Sequence, residues 1–207
     1  MSQQSDTFRT LNAEVIDVVY KEKGSKFIGY AFEVRNPEQI RQHLERIKKL
    51  HHSARHWCYA WQIGAETKQY RANDDGEPSG TAGLPIFGQI QSFDLTNVLV
   101  IVVRYFGGIK LGVGGLVTAY KTTTQMTLSE AEIRVETIKK RFEIAFDYPQ
   151  MNAVMRVVKE KNAEIISQDF GLSCKLLVQI RRAEAEPFLE TFQAMYPVRI
   201  KMLVETD

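Results

Sequence analysis

The stretch NVLVIVVRYFGGIKLGVGGLVTAY, residues 97–120, decides the fold of the first half of the chain. Its first part, Asn97–Tyr105, is a continuous apolar run, which is typical of a strand buried on both faces. Five of the nine residues in Gly107–Gly115 are glycine, and a helix is predicted from about Val113 to Ala131. The stretch therefore predicts a buried strand, a glycine-rich loop and a helix start, in that order.

The glycine-rich loop has the composition of an anion-binding site. Glycine backbone approaches a ligand closely and adopts positive φ, and the first N–H groups of a helix favour phosphate or carboxylate. A structural interpretation stays open, because glycines also permit a tight turn and close packing of strand and helix. The candidate residues for an anion or nucleic-acid site are Arg104, Tyr105, Gly107, Gly108, Lys110, Gly112, Gly114, Gly115 and Lys121.

Two common nucleotide motifs are excluded. No Gly-Lys-Ser/Thr closes the loop, so it is not a Walker sequence, and G-x-G-x-x-G is absent, so it is not a dinucleotide fingerprint.

A second candidate segment is the turn-rich loop DDGEPSGTAG, residues 74–83. Three carboxylates in four residues suit a divalent cation, but the spacing x-D-x-D is missing and a capped turn is favoured. Ser79 is not part of a G-x-S-x-G nucleophile elbow. We predict no metal and no cofactor. The candidate pocket-lining residues are His56, Cys58, Asp74, Asp75, Glu77 and Ser79.

The strand predicted over residues 55–63 alternates in character. Trp57, Tyr59 and Trp61 share one face, and His56, Cys58 and Ala60 share the other. The aromatic face is either part of a core, which is the commoner case, or a stacking platform for bases.

The remaining elements of the first half follow from local signals. Residues 1–10 are polar and are predicted to be frayed. Strands are predicted over Glu14–Tyr20 and Ser25–Val34, a helix from Pro37 to about Leu50, and a short helix over Leu84–Ser92. All four histidines lie within one segment of 14 residues, 43–56. We interpret His43, His51 and His52 as part of a solvated basic helix surface.

The second half has the order β-α-β-β-α-β, typical of a ferredoxin-like unit. Its strands are predicted over residues 138–147, 163–169, 173–181 and 198–205, and its helices over residues 149–161 and 184–194. The chain is therefore predicted to be α+β, with domains over residues 1–136 and 137–207.

Composition limits the function classes. The chain has 207 residues, of which 44% are apolar and 25% charged, with a net charge of +2. A globular protein is therefore expected, and a strongly cationic nucleic-acid coat is excluded.

The cysteines and the N-terminal sequence indicate the compartment. Cys58 and Cys174 form no metal-spaced or redox pair and suit a reducing cytoplasm. MSQQSDTFRT shows no secretory signal. The apolar run Val98–Val103 is too short to span a membrane.

Four segments in this order resemble the YigZ/IMPACT family: GSKFIGYA at 24–31, ARHWCYAW at 54–61, DDGEPSGTAG at 74–83 and VVRYFGGIKLGVGGLVTAY at 102–120. The resemblance implies an N-terminal two-layer α/β sandwich like the second domain of small-subunit ribosomal protein five. It also implies a C-terminal domain like the fifth domain of elongation factor G. Eukaryotic members are linked to translational control, partly through an extra N-terminal domain. In those members the resemblance implies binding to the ribosome-associated activator of a starvation-responsive initiation-factor kinase. The first motif here begins near residue 24, so this kinase-pathway role is not expected of this chain.

Three functions stay open at this point. The first is a translation-associated regulatory protein that binds RNA, the ribosome or another anionic ligand through the glycine-rich loop. Its partner is alternatively a translation-control protein. The second is a small-molecule or nucleotide-dependent enzyme, since kinases share the ribosomal fold, with Asp74, Asp75 or Glu77 holding Mg²⁺ or acting as base. Those kinases' Ser-Ser-Ala run is absent, so we assign no catalytic activity. The third is a protein-binding module without catalysis.

Overall fold

The computed structural model describes residues 6–171 and 173–203 of the chain. These residues contain five α-helices and eleven strands, so the protein is α+β, as the sequence predicts. They divide into two compact units, one of residues 7–136 and another of the residues from Thr137 onward together with Asp6. No helix in this part of the chain is long and apolar enough to cross a membrane.

The first unit is built on a five-stranded sheet with the strand order β2-β3-β6-β4-β5, in which every neighbouring pair is antiparallel. Two further strands, β1 and β7, form a separate two-stranded sheet. The strands are β1 (Thr7–Leu11), β2 (Val15–Glu22), β3 (Ser25–Glu33), β4 (His56–Ile63), β5 (Gln69–Asn73), β6 (Val98–Tyr105) and β7 (Ile133–Thr137). The helices are α1 (Pro37–Leu50), α2 (Gly83–Ser92) and α3 (Gly112–Ser129).

Strand β6 is the central strand and is buried on both faces, which confirms the interpretation of its apolar run. Val98, Val100 and Val102 pack into the core beneath α2 and α3. Leu99, Ile101 and Val103 pack into a second core on the opposite face. All six side chains are fully buried, because alternate residues of a strand point to opposite faces of the sheet.

Helix α1 supplies the cover for that second face. Its Ile40 and Ile47 are buried against residues of β3 and β6, which the helical spacing of its apolar residues brings to one side. The sheet therefore has helices on both faces, whereas the family resemblance implies a two-layer sandwich. The apolar side of a helix is stable only when it packs on another element, and the apolar side of α1 packs on the face formed by β3 and β6.

Helix α3 is rich in β-branched residues, which are weak helix formers. Its stability comes instead from burial, and its buried threonine hydroxyls are satisfied because they donate to the carbonyl four residues earlier. Thr123, Thr124 and Thr127 are fully buried and make this bond at 2.7–2.9 Å. A buried hydroxyl without such a partner would be costly.

The second unit has the predicted β-α-β-β-α-β order and the antiparallel strand order β11-β8-β10-β9. Its core is formed by one face of the sheet together with the apolar sides of the two helices. The strands are β8 (Lys139–Phe146), β9 (Glu164–Phe170), β10 (Cys174–Arg181) and β11 (Arg199–Leu203), and the helices are α4 (Met151–Glu160) and α5 (Ala185–Gln193).

Three strands are missing from the sequence-based prediction. The sequence predicts frayed backbone over residues 7–10, but these residues belong to β1, whose Leu11 is fully buried. β5 (QYRAN) and β7 (IRVET) alternate polar and apolar residues, but each has only two apolar residues, a weak signal that the prediction does not use. Their backbone groups form strands because a neighbouring strand satisfies them, which is a tertiary effect.

A contact between β3 and α3 gives a stability prediction. A Cβ on Gly29 would overlap Thr127 Oγ1 and lie 3.2 Å from Thr127 Cβ. We expect Gly29→Ala to destabilise the protein by about 1–3 kcal/mol, as overpacking does. Gly88 in α2 has open space around the same position, so Gly88→Ala is the control and should be neutral or stabilising by up to about 1 kcal/mol. Urea unfolding of both variants is the measurement, and equal midpoints would contradict the prediction.

Candidate functional site

The turn-rich loop of residues 74–83, called the acidic loop below, folds as a cap for helix α2. The Asp74 carboxylate accepts hydrogen bonds from the N–H groups of Gly80, Ala82 and Gly83 at 2.8–2.9 Å, which satisfies donors that a helix start leaves without partners. Partial burial raises the pKa of Asp74, but the three N–H groups outweigh it and hold the pKa below its ordinary value.

The neighbouring carboxylates are also engaged within the fold. Asp75 accepts the N–H of Trp57 at 2.8 Å, and its own carbonyl oxygen lies 2.9 Å from His56 Nδ1. Ser79 is exposed in the same loop. Among the described residues, no group of three His, Cys, Asp or Glu side chains is placed to hold a metal ion. The geometry thus favours the capped-turn interpretation of the loop over the metal interpretation.

Glu77 forms a buried ion pair with Arg104 of β6. Glu77 Oε1 lies 2.7 Å from Arg104 Nη1, and the two side chains are 4% and 6% exposed. The same oxygen accepts the hydroxyl of Tyr120 from α3 at 2.8 Å. Because charges buried in this way must be partnered, this cluster fixes the loop to both β6 and α3.

The cluster extends to Cys58 on β4. Its Sγ lies 2.9 Å from the carbonyl oxygen of Asp74 and 3.2 Å from the Tyr120 hydroxyl. Burial raises the pKa of the Cys58 thiol and of the Tyr120 phenol, so both stay neutral at physiological pH. A buried, protonated thiol is a weak nucleophile, and Cys58 therefore acts as a packing residue in this arrangement.

On its other side the cluster reaches the glycine-rich loop. Ser25 Oγ accepts the N–H of Gly107 at 3.2 Å and lies 3.4 Å from Arg104 Nη2. Arg104 Nε is buried and has no hydrogen-bond partner among the described residues. The cluster thus brings together the start of β4, the acidic loop and the first residue of the glycine-rich loop. The sequence-predicted residues connected in this way are His56, Cys58, Asp74, Asp75, Glu77, Arg104 and Gly107.

The remainder of the glycine-rich loop is exposed. Residues 106–110 and 112–114 all face solvent, with Lys110 among them. Helix α3 has no side-chain cap at its N-terminus and no acidic residue in its first turn. Its first N–H groups therefore carry the positive end of the helix dipole into solvent, and no acidic side chain of the first turn offsets it.

The glycines of this loop have different reasons to be glycine. A Cβ on Gly107 would overlap the backbone of Gly24, so that residue is required by packing. Gly108 and Gly112 have positive φ angles of +86° and +73°, which favour glycine. Gly114 has open space where a Cβ would lie, so packing does not require glycine there.

The last two candidates lie on either side of the loop. Lys121 is exposed on α3. Tyr105 ends β6, and its hydroxyl lies 2.9 Å from His51 Nδ1. His51 is also bonded through Nε2 to the hydroxyl of Tyr30, which in turn bonds Asp17.

This Tyr105–His51–Tyr30–Asp17 chain of hydrogen bonds is not predicted by the sequence. The sequence places His51 on a solvated helix surface, but the residue is half-buried at the C-terminal end of α1. Burial lowers its pKa, so the ring is neutral near pH 7. Its partners are 21 and 54 residues away in the sequence, and no local spacing signals such a contact.

The region that contains the buried cluster around Glu77 and Arg104 matches a known protein family. Residues 23–128 match the Impact N-terminal domain family, and this range contains the whole buried cluster and the glycine-rich loop. The chain is 39% identical over 177 residues to an IMPACT family member of Haemophilus influenzae, covering 83% of this chain and 85% of that protein. It is 32% identical over 178 residues to IMPACT family member YigZ of Escherichia coli, covering 85% and 87%.

A solved structure of a hypothetical protein is similar over the full length of both molecules. It covers 99% of this chain and 100% of its own, with a TM-score of 0.73 and 28% sequence identity.

The buried ion pair gives a sharp stability prediction. We expect Glu77→Ala to cost about 3–5 kcal/mol, because it leaves Arg104 buried without a counter-charge. Glu14→Ala is the matched control, since Glu14 pairs with Arg46 at 3.1 Å with both side chains about half-exposed, and it should cost under about 1 kcal/mol. Chemical denaturation measures both, and a similar loss in the two variants would contradict the prediction.

The Asp74 cap predicts a pH dependence. Because the folded-state pKa lies below the unfolded value of about 4, the charged cap stabilises the protein above that pH and its contribution is lost as the pH falls through the folded pKa. We expect Asp74→Asn to be less stable than the native protein at pH 7 and to lose less stability on acidification. Asp94→Asn, at an exposed acid, is the control and should follow the native profile in thermal melts.

Proposed function

The chain belongs to the IMPACT family, and from that premise we propose that it is a cytoplasmic, translation-associated regulatory protein that binds RNA on or from the ribosome. The proposed contact is the exposed part of the glycine-rich loop and the start of α3. Translational control is what the family resemblance implies. The free, buried state of both cysteines suits a reducing compartment.

The observation that carries the proposal is the solvent-facing start of α3. Its N–H groups have no side-chain cap and no acid in the first turn of the helix, and Gly114 leaves room for a ligand to approach the backbone. Phosphate groups bind at helix starts of this kind. Exposed Lys110 and Lys121 add positive charge on the loop and on the helix, which supports a polyanion such as RNA.

The buried cluster has a supporting role in this proposal. Arg104 is already paired with Glu77, so its charge is balanced and it holds the loop in place. Tyr105 likewise is bonded to His51. We therefore assign phosphate contact to Gly108, Lys110, Gly112, Gly114 and Lys121, and a positioning role to Arg104, Tyr105 and Gly107.

The same surface offers a second candidate, the docking of a translation-control protein. Phe106, Ile109 and Val113 are 42%, 56% and 64% exposed, and exposed apolar side chains on a loop are typical of protein interfaces. The two candidates differ in salt dependence, because phosphate contacts weaken steeply with salt and apolar contacts do not. A nucleotide-dependent enzyme has less support, since Asp74, Asp75 and Glu77 all accept hydrogen bonds within the fold.

A pair of variants at Gly114 tests the RNA contact. Glutamate there would stabilise α3 through the helix dipole while placing a negative charge where phosphate is proposed to bind. We expect Gly114→Glu to weaken binding to ribosomes or ribosomal RNA by about tenfold, a change of about 1.4 kcal/mol. Gly114→Gln is the control, because it adds a side chain of the same size without the charge and should bind several-fold more tightly than Gly114→Glu. Pelleting with ribosomes and filter binding at about 50 mM salt are the measurements.

The salt dependence separates the candidates. Replacing Lys110 and Lys121 together by alanine should reduce the slope of log affinity against log salt by about 0.7–0.9 for each phosphate that the variant no longer neutralises. Unchanged binding by Gly114→Glu at low salt, or binding that is independent of salt, would reject the RNA proposal and favour protein docking.

A further inference from the structure

The second face of the five-stranded sheet carries a groove that the proposed RNA contact does not use. It has a volume of about 350 Å³ and lies between α1 and the neighbouring strands β4 and β5, of which β5 is the sheet edge. Helix α3, which follows the glycine-rich loop, packs on the other face of the sheet. The groove is lined by Ile40, Leu44, Lys48, Tyr59, Trp61 and Arg71, among others.

Its floor is aromatic. The alternation of β4 places Tyr59 and Trp61 on this face, where both are half-buried against the core beneath α1. Trp57 lies on the same face further along the strand. Half-buried rings held by a strand are rigid and keep one surface available for stacking.

Its rim carries three cations, Arg41, Lys48 and Arg71, and one carboxylate, Glu45, which pairs with Arg41 at 3.6 Å. Arg71 stands directly opposite Trp61 in the β4–β5 pair, so the two side chains lie on the same face of the sheet. Lys48 reaches from α1, with its Nζ 5.6 Å from the centre of the Trp57 ring. Within the described part of the chain neither cation has a carboxylate within 4.0 Å, whereas Arg41 at the same groove is balanced by Glu38 at 2.8 Å.

We propose that this groove binds one nucleotide of a single-stranded nucleic acid, with the base on Tyr59 and Trp61 and the phosphate between Arg71 and Lys48. Stacking surfaces beside cations are how single strands are held without sequence preference. A proline-rich peptide would also stack on the rings, but it would leave the two cations without a counter-charge. Charge complementarity therefore favours the nucleic acid.

Intrinsic fluorescence tests the groove directly, because the chain has two tryptophans, Trp57 and Trp61. In a Trp57→Phe variant only Trp61 reports. We expect titration with octa-adenylate RNA at about 50 mM salt to quench this emission saturably, and the quenching to weaken as salt increases. Arg71→Ala in this background should weaken the interaction about fivefold to tenfold, because the variant no longer pairs with the phosphate or supports the stacked base.

Matched variants separate the groove from the glycine-rich loop. Arg55→Ala removes an exposed cation just before β4, outside the residues that line the groove, and should leave the quenching unchanged. Gly114→Glu should also leave it unchanged, so that failure of the loop proposal and failure of the groove proposal give different results. Trp61→Leu, which keeps an apolar side chain at this position, should weaken RNA binding measured by anisotropy about tenfold.

Three outcomes would overturn the groove proposal. The first is no quenching of Trp61 while the folded variant still binds RNA in a filter assay. The second is equal weakening by Arg55→Ala and Arg71→Ala. The third is saturable quenching by a proline-rich peptide but not by octa-adenylate, which would make the groove a peptide site.

Discussion

The buried ion pair between Glu77 and Arg104 is the interaction on which the first unit's functional region depends. Two opposite charges almost fully removed from water are tolerated only while each has its partner. Glu77 comes from the acidic loop, Arg104 from the central strand, and Tyr120 of α3 joins them through the same carboxylate oxygen. Three segments that are distant in sequence are thereby held at fixed positions, and a shift in any one of them would leave a buried charge or hydroxyl without a partner.

The surface around this cluster follows from that constraint. The carboxylates of the acidic loop bond within the fold, to the start of α2, to β4 and to Arg104. They are therefore not free to repel an anion at the start of α3. The glycine-rich loop is fixed at Gly107 and left exposed beyond it, with uncapped N–H groups at α3. A rigid base below a solvent-facing helix start is suited to the anion contact that we propose. The regulatory role proposed for the protein rests on this surface and on family membership.

Strand β4 connects the two faces of the sheet. Cys58 and Ala60 pack into the core beneath α2 and α3, and Tyr59 and Trp61 pack beneath α1 and open into the groove. One strand thus contributes to the support of the glycine-rich loop and to the aromatic floor on the opposite side. Nucleic acid bound at both places would contact the unit from two directions, with phosphate contacts at one surface and base stacking at the other.

Local patterns in the sequence determined much of this protein. The apolar run of β6, the alternation of β4, the amphipathic α1 and the β-α-β-β-α-β order all follow from side-chain periodicity, which is a property of neighbouring residues. The turn-forming role of the acidic loop is likewise predictable, because aspartate and glycine have intrinsic preferences there. Only the tertiary structure decided that Glu77 and Arg104 form one buried pair, that His51 joins Tyr30 and Tyr105, and that Lys48 and Arg71 flank the same rings. These contacts join residues from different elements, and their energies depend on burial and distance, which no local spacing encodes.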